Sequence, residues 1–210
     1  MSRLHNQSLY HIQASLIFGF HACEREVGEA LLSGKADFKP SENDFDWLGH
    51  GMYFWENNLT RAQEYAVELA TKRNKLKDPF VIGAVIKLGY CLDLTDAFSL
   101  NLLKSEYIEM VKVFEESGLP IPQNEAVHKA DTDFLYRKLD CAVIQYMHRM
   151  MEETGQKSFD TIRGVFWEGN ELYPTSGFKE KNHVQLCVRN PNAIKGYFRP
   201  LEIDANYPLV

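Results

Sequence analysis

The chain has 210 residues, a formal net charge of −6, 45% hydrophobic residues and 25% charged residues. That length suits one large domain spanning 1–210, and the balance is that of a globular chain able to bury a full core without metal or disulfide staples. The acidic character argues against a general nucleic-acid coat protein, though it leaves room for a local basic groove.

In chain order, the N-terminal MSRLHNQSLYHIQAS lacks the continuous apolar stretch of a signal peptide. Leu16–Phe20 reads as a short buried strand, and Glu24–Ser33 as a helix ended by Gly34. A turn-rich loop, Lys39-Pro40-Ser41-Glu42-Asn43-Asp44, leads into Asp46-Trp47-Leu48-Gly49-His50-Gly51-Met52-Tyr53-Phe54-Trp55. Asn57 or Asn58 caps the next helix, which carries Ala62, Ala66 and Ala70 and ends in Lys72-Arg73-Asn74-Lys75. Phe80–Leu94 is β-branched and apolar, and predicts one long buried strand. Ser99–Glu116 is amphipathic and helical, followed by a break at Leu119-Pro120-Ile121-Pro122. Asp133–Glu153 predicts a second long helix with Leu135, Leu139, Val143, Met147 and Met150 on one stripe. Strands follow at Thr161–Trp167 and Val184–Val188, with a further one at Ile194–Phe198.

Strands at both ends and helices in the middle make an α+β pattern, in which the two sets of strands meet in one split mixed sheet. The helical block from about 96 to 155 is then an insertion. The four cysteines, Cys23, Cys91, Cys141 and Cys187, show no CxxC spacing, so no metal site is expected and buried reduced thiols fit a reducing cytoplasm. No run approaches the roughly 20 apolar residues needed to span a bilayer, so no membrane partner is expected.

Two stretches carry chemistry. In Gly49-His50-Gly51-Met52-Tyr53-Phe54, two glycines before an aromatic pair let the backbone approach a planar ligand, on which the tyrosine can stack with its hydroxyl free for a polar contact. In Phe20-His21-Ala22, a histidine ends an apolar strand and offers a ring N–H to a sugar hydroxyl. Elsewhere, Lys72, Arg73, Lys75 and Lys77 read as a solvated helix end. Asp140 reads as a structural partner of Arg163 or Arg137, and His183 as either cleft-lining or exposed.

A strand ending in histidine, followed about thirty residues later by G-x-G-x-Y-F before a helix, resembles the ADP-ribosyltransferase superfamily of the diphtheria-toxin and poly(ADP-ribose) polymerase branch. Ser41 and the helix Arg61-Ala62-Gln63-Glu64-Tyr65-Ala66 share in the likeness, which covers residues 16–94 well and 161–198 loosely. It is similar to small bacterial toxin–antitoxin and phage-defence proteins with a D-W-L-G-x-G-x-Y-F-W-E stretch. The resemblance implies NAD⁺ as co-substrate, His21 on the nicotinamide-side ribose, the Ala22 backbone on the carboxamide and Tyr53 stacked on the nicotinamide ring. Ser41, Gly51, Phe54 and Tyr65 complete the implied cofactor site. It also implies a catalytic glutamate on a late strand. Gln185 stands at that place, which keeps hydrogen bonds but lacks the charge suited to a developing oxocarbenium ion. Glu168 is the favoured substitute and Glu56 the next. The implied reaction passes ADP-ribose to a macromolecular acceptor, protein or nucleic acid, with an antitoxin protein as a further partner. NAD⁺ hydrolysis and binding without catalysis are the alternatives.

Overall fold

The computed structural model describes residues 16–126 and 134–208. Among the described residues, seven strands form one mixed sheet: β1 (Ile17–Glu24), β2 (Met52–Glu56), β3 (Pro79–Ile86), β4 (Cys91–Asp93), β5 (Thr161–Phe166), β6 (His183–Val188) and β7 (Ile194–Phe198). Four α-helices among the same residues accompany them: α1 (Arg25–Leu32), α2 (Leu59–Thr71), α3 (Ala97–Glu116) and α4 (Lys138–Glu153). The order across the sheet is β4-β5-β6-β2-β1-β3-β7, antiparallel except for the parallel pair β4–β5. N-terminal strands thus sit at the centre, between C-terminal strands on both sides. The fold is α+β. The expectations for residues 1–15 and for the helix start at Asp133 lie outside the described residues.

Side chains alternate across a pleated sheet, so the register sorts them into two faces. On one face Met52, Phe54, Ala84, Ile86, Leu186 and Val188 form a core, continued under α1 by Cys23, Leu31, Phe80 and Ile82. On the other, Leu48, Leu92, Met147, Phe159, Ile162 and Cys187 pack beneath α4, and Ala22, Trp55, Ala62 and Ala66 beneath α2. The alanine row of α2 is what lets that helix lie close on Trp55.

Two local expectations change. Phe80–Leu94 is two strands, because the chain turns at Gly89 and the Tyr90 N–H donates to Asp160 Oδ2 at 2.8 Å. That turn sends β4 to the far edge of the sheet beside β5. The second long helix begins only at Lys138, where Asn124 Oδ1 accepts from the Leu139 N–H at 3.0 Å. Leu135 therefore leaves the helical stripe, and Tyr136 beside it bridges Glu125. Asn58 is the residue that caps α2, its side chain accepting from the Arg61 N–H at 3.0 Å. All four cysteines are free thiols. Among the described residues, no helix is long and apolar enough to cross a membrane.

Candidate functional site

The antiparallel ladder between β1 and β2 has only two rungs, Gly19–Glu56 and Phe20–Trp55. β1 then stays paired with β3 along its whole length, while β2 stays with β6. The two halves of the sheet part there, and His21 stands in the gap. Its Nδ1 lies 2.8 Å from the Tyr53 carbonyl oxygen, which can only accept, so Nδ1 carries the proton. Burial pushes the His21 pKa down, keeping the ring neutral. Nε2 is then the lone-pair nitrogen. The ring N–H expected for a sugar hydroxyl is already used, and His21 can only accept from one.

A cleft of about 790 Å³ opens at this parting. It is lined by His21, Ala22, Ser41, Gly51, Tyr53, Tyr65, Glu168 and Gln185. Phe54 is not among them. It neighbours Tyr53 in β2, so its side chain points to the opposite face, where it is wholly buried in the core. Glu56 shares that opposite face and is tied to Arg163 at 2.6 and 3.0 Å, which removes it as a carboxylate for the cleft. Arg163 also reaches Asp93, and Asp140 pairs with Arg137 instead.

The turn before β2 is built by the glycines of the motif. Gly49 has φ 76°, and a Cβ on it would stand 2.7 Å from Ile144 Cγ2. At Gly51 a Cβ would stand 2.7 Å from the Val188 carbonyl oxygen, so this close passage of strands admits no side chain. The Tyr53 hydroxyl donates to the Gly49 carbonyl at 2.7 Å and accepts from the Leu48 N–H at 3.0 Å. Burial raises its pKa well above the phenolic value. The hydroxyl expected to meet a ligand is therefore spent on its own turn, and the ring is what Tyr53 offers the cleft. Ser41 and Gly51 exchange backbone hydrogen bonds at 2.8 and 3.0 Å, which holds the loop over the site.

Glu168 lies just past the end of β5. Its Oε2 accepts from Arg61 Nη2 at 3.1 Å, and Lys181 Nζ stands 4.0 Å from Oε1. Arg61 is only 4% exposed, stacks 6.0 Å from Trp55 and 5.7 Å from Tyr65, and also nears Glu68 and Glu64. Its Nε and Nη1, with Trp55 Nε1 and His183 Nε2, are buried and have no hydrogen-bond partner among the described residues. His183 lines the cleft, bonded through Nδ1 to the Lys181 carbonyl, and burial lowers its pKa. Gln185 Oε1 accepts from Trp47 Nε1 at 2.6 Å.

Sequence reasoning missed Trp47, Arg61, Asp46 and Phe166, all of which line the cleft, and set aside Arg73 and Lys75, which also do. A signal for Arg61 was present: Arg61, Tyr65 and Glu68 recur at i, i+4 and i+7, a polar and aromatic stripe beside the alanine row. Among the described lining residues, Lys39, Arg61, Arg73 and Lys75 stand against Asp46 and Glu168. An acidic protein thus holds a cleft with an excess of cations, which favours an anionic ligand.

No known protein-family profile matches the chain, and no solved structure gives a significant match. The chain is similar to an uncharacterized protein of Methanocaldococcus jannaschii, 26% identical over 192 residues that cover 84% of this chain and 83% of the relative.

Proposed function

We propose that the protein is an NAD⁺-dependent ADP-ribosyltransferase whose cleft binds NAD⁺ between the two halves of the sheet. The observation that carries this reading is convergence. His21, Ser41, Gly51, Tyr53, Tyr65, Glu168 and Gln185 come from six separate segments, stand out on sequence grounds, and line one cleft. Its volume falls within the roughly 300–1,000 Å³ of small-molecule sites. Trp47, Tyr53, Trp55 and Tyr65 provide faces for planar rings, and the excess of cations suits a pyrophosphate.

In this reading His21 Nε2 accepts from a ribose hydroxyl and the Tyr53 ring stacks on nicotinamide. Glu168 places its carboxylate against the positive charge that develops at the anomeric carbon as nicotinamide leaves. The cleft orients the acceptor, whose nucleophilic atom bonds that carbon and gives up its proton. The acceptor is a protein or a nucleic acid, and a toxin role with a neutralising antitoxin follows from the same resemblance. One observation favours a second reading, binding without catalysis: Gln185 is neutral and Glu168 is already engaged by Arg61.

The test is NAD⁺ labelled on the adenylate phosphate, incubated with the protein and a cell lysate divided between nuclease and protease treatment. Wild type is expected to release nicotinamide and retain label, with both lost in the His21→Ala, Tyr53→Ala double variant. Label lost with nuclease marks a nucleic-acid acceptor, and label lost with protease marks a protein. Nicotinamide release without retained label marks a hydrolase. NAD⁺ binding without either product leaves the binding module, and no NAD⁺ binding at all ends the reading.

A further inference from the structure

We propose that Trp47 locks the side-chain amide of Gln185 so that its NH₂ group, and not its oxygen, is offered to the cleft. This position is then a donor that selects an acceptor atom on the bound molecule, such as a carbonyl or phosphate oxygen, over a group that can only donate. The inference rests on the cleft being a ligand site, as above, but not on the ligand being NAD⁺.

Donor and acceptor inventory decides which end of the amide is free. An indole N–H only donates, so the Gln185 atom 2.6 Å from Trp47 Nε1 is necessarily the oxygen. The amide nitrogen is then the end left over, and Gln185 belongs to the cleft lining. Both partners are held in place. Gln185 is a rung of the sheet on both sides, opposite Trp55 in β2 and Gly164 in β5. Trp47 lies over that same Gly164, where a Cβ would come within 2.8 Å of the ring. Phe166 packs against the indole at 5.0 Å, and the Arg137 guanidinium sits 5.7 Å from it. An amide fixed in this way has little freedom to turn its oxygen to a ligand.

A glutamate at 185 makes the contrast. One carboxylate oxygen would still accept from Trp47, and the other would face the cleft, turning a donor into a charged acceptor at nearly constant shape. A site built around one polarity rejects the opposite one, because the mismatched groups are left desolvated and unpaired.

The test uses the ¹⁵N-labelled full chain, with the Trp47 indole and Gln185 amide signals assigned through Trp47→Phe and Gln185→Glu. It is titrated with NAD⁺, ADP-ribose, nicotinamide and inorganic pyrophosphate. The Gln185 amide protons are expected to shift saturably with at least one probe. For that probe, Gln185→Glu should weaken binding about tenfold or more, Gln185→Leu less, and Trp47→Phe less again. Melting temperatures identify any variant that fails to fold, and the wild-type amide shift does not depend on the variants. Gln185→Glu binding as tightly as wild type, or an amide signal that none of the four probes moves, overturns the proposal. Binding of nicotinamide or pyrophosphate without NAD⁺ would sink the ADP-ribosyltransferase reading and leave this one standing.

Discussion

Three histidines are held neutral by burial, and each ties one ring nitrogen to a backbone carbonyl: His21 to Tyr53, His183 to Lys181 and His148 to Ile144. His148 is the most buried, at 1% exposure, and burial together with nearby Arg189 lowers its pKa to about 4. A histidine with a depressed folded pKa has no effect on stability above its unfolded value, where both states are neutral. Below that value the unfolded chain takes up a proton and the native one does not, so stability falls with pH. For His148 the window runs from about 6.5 down to about 4, at a cost of up to about 1.4 kcal/mol per pH unit. Melting temperatures measured from pH 7.5 to 4.5 should fall across that range, and His148→Gln should flatten the curve. An unchanged slope in the variant would assign the acid sensitivity elsewhere. At the same scale, His21 and Tyr53 were legible in the sequence as candidates and both line the cleft, but the use of their polar atoms was not legible. Which nitrogen of His21 is free and where the Tyr53 hydroxyl goes depend on backbone groups that the fold brings alongside.

β2 shows how much one element decides. Tyr53 and Phe54 are adjacent, so a strand must send them to opposite faces, and only one can line a cleft. Strand parity alone separates Tyr53 and Trp55 from Phe54 and Glu56, and it is readable from the sequence once β2 is recognised. The Gly51 turn that starts the strand is equally strict. Gly51→Ala would place a methyl 2.5 Å from Cys187 Sγ and 2.7 Å from the Val188 carbonyl, and the backbone contact cannot yield without moving β6. A loss of about 1–3 kcal/mol is expected in urea denaturation, together with weaker ligand binding as the Ser41–Gly51 bridge shifts. A fully stable variant would mean that the two strands separate more easily than their contacts suggest. The long strand expected over Phe80–Leu94 failed for a different reason. Apolar β-branched runs on either side of one glycine look continuous, and the turn at Gly89 is stabilised by Asp160, a residue far away in the sequence.

Across the molecule, Arg61 joins α2 to the end of β5 and so ties together two walls of the cleft. Breaking a buried ion pair by removing one partner leaves a charge uncompensated, and Arg61→Met is expected to cost about 3 kcal/mol. Glu168→Gln should cost less, since Arg61 keeps Glu68 and Glu64 nearby. In a double-mutant cycle the two losses should add to more than the loss in the double variant, as read by chemical denaturation. Strict additivity would show that the two side chains do not act as a pair. The sequence by itself determined the α+β pattern, most of the strands and helices, and the residues of the His21 and G-x-G-x-Y-F stretches, because periodicity and turn chemistry are local properties. Only the tertiary structure decided that β1 and β2 part after two rungs, that Glu168 faces the cleft while Glu56 faces away, and that Trp47 holds Gln185. Those outcomes depend on register and on contacts between residues more than a hundred positions apart, and no local pattern encodes them.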